Sequence, residues 1–393
     1  MAIEYAGSRR TGRPRRVEAA DARDIARRFD WLLFGAVGAL VLYGLHLVAG
    51  ITRDDVVGDP GYYVVRQGAY AAIGAVGMLG LSVVDPDLYR RYWRYGYATM
   101  VVALLLVLPF GTEVRGSQRW ITLGSFQFQP SELGKLLLIL SVGAFLADRS
   151  RQLTDSRVVF SAIGLTALPA SLVFVQPDIG TSLVYCAALA AMLFVAGVRW
   201  LHLGLLTTAV VTLAVSVVWA LPAVGVQVLE DYQMKRLTAF VDRDAELQGA
   251  GYNVEQSILA IGAGGLRGRG VEGATQTNFD YLPEHATDFA FASLAEQRGF
   301  MGAAILLLLY LLVVWRGLRV LTFAPDAYSA IVAGGIVLAL LFQMFVNVGM
   351  TMGIAPVTGI PLPFVSVGGS SLITNLLAVG VLQSIYARGR RRA

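Results

Sequence analysis

Residues Trp31–Ile51 read WLLFGAVGALVLYGLHLVAGI, with no Asp, Glu, Lys or Arg among them. As a helix rising about 1.5 Å per residue, such a run reaches roughly 30 Å, the thickness of a bilayer's hydrocarbon core. A basic stretch precedes it, as in a secretory leader. The run is too long for a leader's apolar segment, and no small-x-small cleavage site closes it. It reads as a first membrane helix.

The rest of the chain continues in the same way. Of 393 residues, 56% are hydrophobic and 15% are charged, whereas a soluble domain carries roughly a quarter charged residues. Lipid must therefore be the solvent for much of the surface. About ten runs suit membrane helices: Trp31–Ile51, Gln67–Val84, Tyr95–Phe110, Ser131–Leu146, Val158–Val175, Ile179–Val198, Leu203–Val226, Gly299–Leu321, Ala327–Met350 and Ser371–Tyr386. The expectation is an all-α polytopic membrane protein with a large structured extracytoplasmic loop, residues 227–298, between helices 7 and 8. One domain, residues 29–388, lies between a basic arm, residues 1–28, and a basic tail, residues 389–393.

Charge placement sets the orientation. Eight arginines crowd the first 28 residues, and Arg388, Arg390, Arg391 and Arg392 precede the C-terminal Ala393. With the N-terminus in the cytoplasm, the even-to-odd connections carry Arg90, Arg91 and Arg94, then Arg149, Arg151 and Arg157, then Arg199, then Arg316 and Arg319. This is the positive-inside pattern; it places both termini in the cytoplasm of a plasma (inner) membrane protein. The basic arms read as topology signals that touch anionic lipid, not as a nucleic-acid surface. A single cysteine, Cys186, excludes an internal disulfide. The three histidines, His46, His202 and His285, show no metal-ligand spacing, which argues against a zinc hydrolase.

Four polar stretches share the outer side of this topology. Residues 115–135, RGSQRWITLGSFQFQPSELGK, hold Arg115, Arg119, Trp120, Glu132 and Lys135. Glu132 and Lys135 are three apart and share a helix face; they suit substrate contact or a mutual ion pair equally well. Gln176-Pro177-Asp178-Ile179-Gly180 is either a broken helix lining a cavity or a turn in which Asp178 caps the next helix. The glycine-rich run Gly262–Gly270, with Arg267 and Arg269, offers backbone amides and guanidinium groups to an anion. Beyond it, Tyr281–Phe291 reads YLPEHATDFAF. A helix starting there would place Glu284 and Asp288, four apart, on one face, where paired acids suit a general base, a shared cation or a favourable helix dipole. The fourth stretch, Pro356–Ser371, carries three prolines and repeated glycines, which exclude a regular span.

Taken in order, RWITLGSFQFQPSELGK, QPDIGTS, GYNVEQSILAIGAGGLRGRG, LPEHATDFAF and NVGMTMGIAPVTGIPLPFVSVGGSS resemble the shape, elongation, division and sporulation (SEDS) family from Phe29 to Tyr386. The segments RRFDWLLF and GVEGATQTNFDYLPE are closer to the family's RodA branch than to its FtsW branch. The resemblance implies ten membrane helices and a peptidoglycan glycosyltransferase serving cell elongation and rod shape. Its substrate would be lipid II, a disaccharide-pentapeptide on undecaprenyl diphosphate, and its partner a class B penicillin-binding protein that supplies the transpeptidase.

By the family's motif, Asp288 is the catalytic base, accompanied by Glu284. Arg115, Arg119, Trp120, Glu132, Lys135, Asp178, Lys235, His285, Thr287 and Ser370 are expected at the substrate. A divalent cation, Mg2+ or Mn2+, with Asp288 and Glu284 as ligands, fits a diphosphate leaving group; no organic cofactor is implied. The chain departs from the pattern at Ala286, where the family places histidine (here His285, one residue earlier), at Gln297 in place of an acid, and at Val367 in place of tyrosine. Two other function classes stay open at this point: a lipid II flippase and a non-catalytic scaffold.

Overall fold

The structure, a computed structural model, describes residues 29–56, 58–114, 117–124, 126–216, 220–223, 225, 234, 236, 240 and 249–392. The basic arm 1–28 and the expected substrate residues Arg115 and Lys235 lie outside them.

Helices dominate: α1 Trp31–Ile51, α2 Tyr62–Val83, α3 Pro86–Arg91, α4 Trp93–Phe110, α5 Pro130–Asp148, α6 Ser156–Val175, α7 Ile179–Ala196, α8 Trp200–Val215, α9 Ala250–Gly264, α10 Thr275–Asn278, α11 Ala290–Thr322, α12 Ala327–Thr351 and α13 Gly369–Arg392. Among the described residues, nine are long and apolar enough to cross a membrane, and the apolar part of α8, Trp200–Thr212, is shorter. The expected seventh span, Leu203–Val226, falls on α8 and runs past its end into a segment only partly described. Helix α13 continues into the basic tail as far as Arg392.

Large side chains such as Val65, Val76, Phe110, Phe160, Leu308 and Leu311 stand exposed along the outer helices. In water this surface would aggregate; in lipid it is the expected exterior. Helices α5, α12 and α13 are the central ones, buried over most of their length. Helix α13 lies along α2, and α12 lies along α7. Small residues allow the first approach: a Cβ on Gly380 would sit 2.5 Å from the carbonyl oxygen of Met78. Such glycine contacts replace the hydrophobic drive that lipid cannot supply.

Local start signals place the helices. Asp30 caps α1 by accepting from Leu33 N at 3.0 Å. Pro130 opens α5, where its missing N–H costs nothing, and Glu132 sits in the first turn.

One element departs from an all-helical expectation. Strands β1 Thr112–Val114, β2 Ser117–Leu123 and β3 Phe126–Phe128 form a small antiparallel sheet in the order β1-β2-β3. Gly124, at φ 63°, makes the tight turn between β2 and β3.

Candidate active site

The polar stretches meet at one end of the bundle. The turn Pro283–Phe289 is held from three sides. Val367 N donates to Ala286 O at 2.9 Å, and Ser366 Oγ donates to Thr287 O. Asn347 Nδ2, on α12, donates to Asp288 O at 2.9 Å and to Ile360 O at 2.8 Å. Ser293 Oγ donates to His285 O at 3.2 Å. Beneath the turn, Leu282 and Phe289 pack with Val254, Ala260, Ala292 and Val357 in a small apolar core of their own.

The helix expected across Glu284 and Asp288 begins only at Ala290. Glu284 has φ 58°, outside the right-handed helical region. The four-residue spacing therefore does not stack the two carboxylates on a helix face. Glu284 instead accepts from Thr287 Oγ1 at 2.7 Å, so Thr287 buttresses the turn.

Asp288 is half-buried and faces the loop that follows α12. Gly359 lies against it at φ 72°. A Cβ there would stand 3.4 Å from Asp288 Oδ2 and 3.2 Å from Arg236 Nη1. The carboxylate and a guanidinium thus flank one glycine, in a space that any other residue would fill. Sequence reading missed Arg236, which lies in a charged loop with no spacing to mark it.

The flanking stretches brace this centre. Arg119, on β2, donates through Nε to Gln176 O at 3.2 Å and through Nη2 to Pro177 O. It lies 3.9 Å from Asp178. Asp178 is buried, caps α7 by accepting from Thr181 N at 3.0 Å, and accepts from Gln129 Nε2 at 2.9 Å. The cap reading of this aspartate is the one observed. Gly180, just behind it, would place a Cβ 2.6 Å from Thr358 O, which seats α7 against the loop bearing Gly359. Ser370 Oγ accepts from Gln129 N at 3.0 Å and donates to Gln127 O at 3.1 Å, tying β3 to α13. Trp120 is half-buried on β2, with its backbone carbonyl bonded to Thr112 Oγ1 at 3.1 Å. In this structure Arg119, Asp178 and Ser370 are committed to protein partners.

Lys135 and Glu132 form a buried ion pair at 2.7 Å, and Lys135 Nζ also reaches Gln343 Oε1 at 2.9 Å. The pair closes upon itself one turn into α5. The glycine-rich run does not form an open amide cradle. Arg269 N donates to Glu296 O at 2.9 Å and Gly270 N to Gln297 O at 3.0 Å. The run is strapped to α11 at its kink, Gly299, where a Cβ would stand 2.3 Å from Gly268 N. Glu296 is buried and accepts from Gln276 N, Thr277 N and Thr277 Oγ1 at 2.8, 3.1 and 2.8 Å, capping α10.

Beside the turn stand Asp55 and Asp280. With His285 they form a group whose potential ligand atoms lie within 4.8 Å of one another, and neither Glu284 nor Asp288 belongs to it. Burial pushes the Asp55 carboxyl above its usual range; His285 opposes the shift, and Asp280 and Asp54 add to it.

Residues 27–391 match the model of a family described as cell cycle proteins, that of FtsW, RodA and SpoVE. The chain belongs to this family. It is 36% identical over 348 residues to the peptidoglycan glycosyltransferase MrdB of Escherichia coli K12, covering 88% of this chain and 90% of that one. A chain from a solved peptidoglycan synthase complex that couples polymerization and crosslinking superposes with a TM-score of 0.77 at 29% identity, covering 92% of this chain and 98% of that chain. The crystal structure of RodA from Thermus thermophilus gives a TM-score of 0.67 at 26% identity, covering 91% and 96%. Family membership and the apolar spans together make this a multi-pass membrane protein.

Proposed function

We infer that this chain is a peptidoglycan glycosyltransferase that polymerises lipid II during cell elongation, with Asp288 as its general base. The relatives' activity supports the reaction class. The observation that carries the residue assignment is the placement of the Asp288 carboxylate and the Arg236 guanidinium on either side of Gly359. Asp288 accepts the proton of the acceptor's GlcNAc 4-hydroxyl. That oxygen attacks the anomeric carbon of the donor's MurNAc from the face opposite the leaving group, inverting the centre, and undecaprenyl diphosphate departs.

Negative charge develops on the diphosphate, and a preorganised cation is the usual means of stabilising it. Arg236, beside Gly359 and Asp288, is our candidate for that cation. Lys235, beside it in sequence, and Arg115 are further candidates. A divalent cation at Asp288 and Glu284 belongs to the same proposal: hard carboxylate oxygens suit Mg2+ or Mn2+, and the ion would neutralise the diphosphate. Glu284 then has a binding role in addition to its bond from Thr287.

The arginine-bearing helix ends, with Arg90, Arg316 and Arg388, lie at the opposite end of the bundle from Asp288. The positive-inside rule puts that end in the cytoplasm and the active site outside. There a class B penicillin-binding protein would crosslink the new strand, in keeping with the neighbour found in a synthase complex.

The test uses purified protein with its penicillin-binding partner, fluorescent lipid II and divalent cation, with products resolved on a gel. Wild type yields a glycan ladder, and Asp288→Asn, folded and partner-bound, yields none. Ladders of equal strength from both would remove Asp288 from the mechanism.

A further inference from the structure

We propose that Asp55, Asp280 and His285 form a binding site for a divalent transition ion of the Zn2+ type, which clips the α1–α2 connection onto the turn that carries Asp288. The three residues come from distant parts of the chain. Asp55 follows α1, Asp280 follows α10, and His285 lies within the turn. His285 Nε2 is 3.3 Å from Asp55 Oδ1, and His285 Nδ1 is 3.8 Å from Asp280 Oδ1. Bonds of about 2.1 Å to a tetrahedral ion would set neighbouring ligand atoms on the order of 3.4 Å apart. An imidazole binds one ion through one nitrogen, here Nε2. The candidate ligand atoms lie within 4.8 Å of one another, and the Asp280 side chain, 83% exposed, has room to swing from Nδ1 toward Nε2 to complete the site.

The histidine supplies an independent reason to expect a ligand. Its residue is only 8% exposed. Its Nε2 is fully buried and has no hydrogen-bond partner, although Asp55 is within reach. The contact with Asp55 Oδ1 at 3.3 Å falls short of hydrogen-bond geometry, so a simple imidazole–carboxylate pair leaves this nitrogen incompletely satisfied. Buried polar atoms without a partner are costly and rare. A metal ion bound there would satisfy the nitrogen and both carboxylates together.

Charge and donor type then select the ion. Two carboxylates and a neutral imidazole balance a divalent charge. Imidazole favours zinc-like ions, whereas Mg2+ prefers oxygen alone. Water would complete the coordination shell. The site touches no reacting atom, and it stands whether or not Asp288 is the base. Its effect is positional: Asp280 and His285 bracket Glu284 in sequence, so an ion there fixes both ends of the segment leading into Asp288.

The test is equilibrium dialysis of the full-length, tag-free protein in detergent. The protein is first stripped with a chelator and then exposed to Zn2+, with bound metal counted per chain. Wild type should take up one ion, retained against millimolar Mg2+. Asp280→Asn, at an exposed position that leaves folding intact, and His285→Gln should each weaken uptake by about tenfold or more. Asp288→Asn should bind as wild type does. The proposal is overturned if wild type binds no Zn2+. It is equally overturned if Asp280→Asn binds as tightly as wild type, leaving an Asp55–His285 contact only. Loss of uptake in Asp288→Asn would move the ion to the catalytic carboxylates and contradict the site.

Discussion

The two ends of the helical bundle both carry charge, and they use it differently. At the arginine-rich end, Arg316 grips Asp30 Oδ2 through Nη2 at 2.6 Å and Nε at 3.0 Å. Asp30 also accepts from Leu33 N, and its own backbone exchanges hydrogen bonds with the Gln383 side chain at 2.9 and 3.0 Å. This network joins α1, α11 and α13 and is closed. At the other end, Asp288 is held by its backbone carbonyl, through Asn347, while its carboxylate faces Gly359 and Arg236. One end uses an acid to lock helices together. The other fixes an acid's main chain through Asn347 and sets its carboxylate beside Gly359 and Arg236.

The contrast can be broken experimentally. Asp288→Asn should abolish polymerisation while preserving the melting temperature, a loss of about 10²–10⁴-fold, as expected for a general base. Arg316→Ala should do the reverse: it strands a buried carboxylate, at a cost of about 3–5 kcal/mol, and appears as lost thermal stability and yield in detergent. An Asp30→Asn change added to Arg316→Ala should recover part of that loss. Asn347→Ala removes donors from two carbonyls at about 1–3 kcal/mol each; polymerisation should fall tenfold or more, with a smaller fall in melting temperature.

Gly359→Ala sharpens the same comparison. It imposes about 1–2 kcal/mol of left-handed backbone strain and places a methyl between Asp288 and Arg236. Turnover should drop further than stability. The smallest effect belongs to Arg90–Asp148, an ion pair at 2.6 Å whose side chains are 38% and 44% exposed. Its removal should cost less than about 1 kcal/mol and leave both polymerisation and melting temperature essentially unchanged.

Much of this fold is legible in the sequence, because lipid imposes a simple rule. A run such as Trp31–Ile51 or Ala327–Met350 has few ways to satisfy its backbone other than as a helix. The convergence of the polar stretches also follows from counting spans. The details that fail are those set by tertiary contact. The β-hairpin leaves little trace: Phe126-Gln127-Phe128 alternates with a period of two, but Arg119–Leu123, RWITL, does not, and three residues are too few to mark a strand. The acids of the 281–291 stretch suggested a helix start; the left-handed Glu284 and the bonds from Ser366, Val367 and Asn347 hold a turn instead. The glycine-rich run Gly262–Gly270 suggested an anion cradle, yet its amides are spent on α11. Arg236 and the Asp55–Asp280–His285 group carry no local signature, because their partners are distant in the chain.

The most direct test of the central claim measures polymerisation and translocation of lipid II together, in proteoliposomes holding wild type or Asp288→Asn with the penicillin-binding partner. Glycan strands should come from wild type alone, with no translocation above empty vesicles for either protein. Translocation by wild type without any polymer would contradict it and make this bundle a transporter.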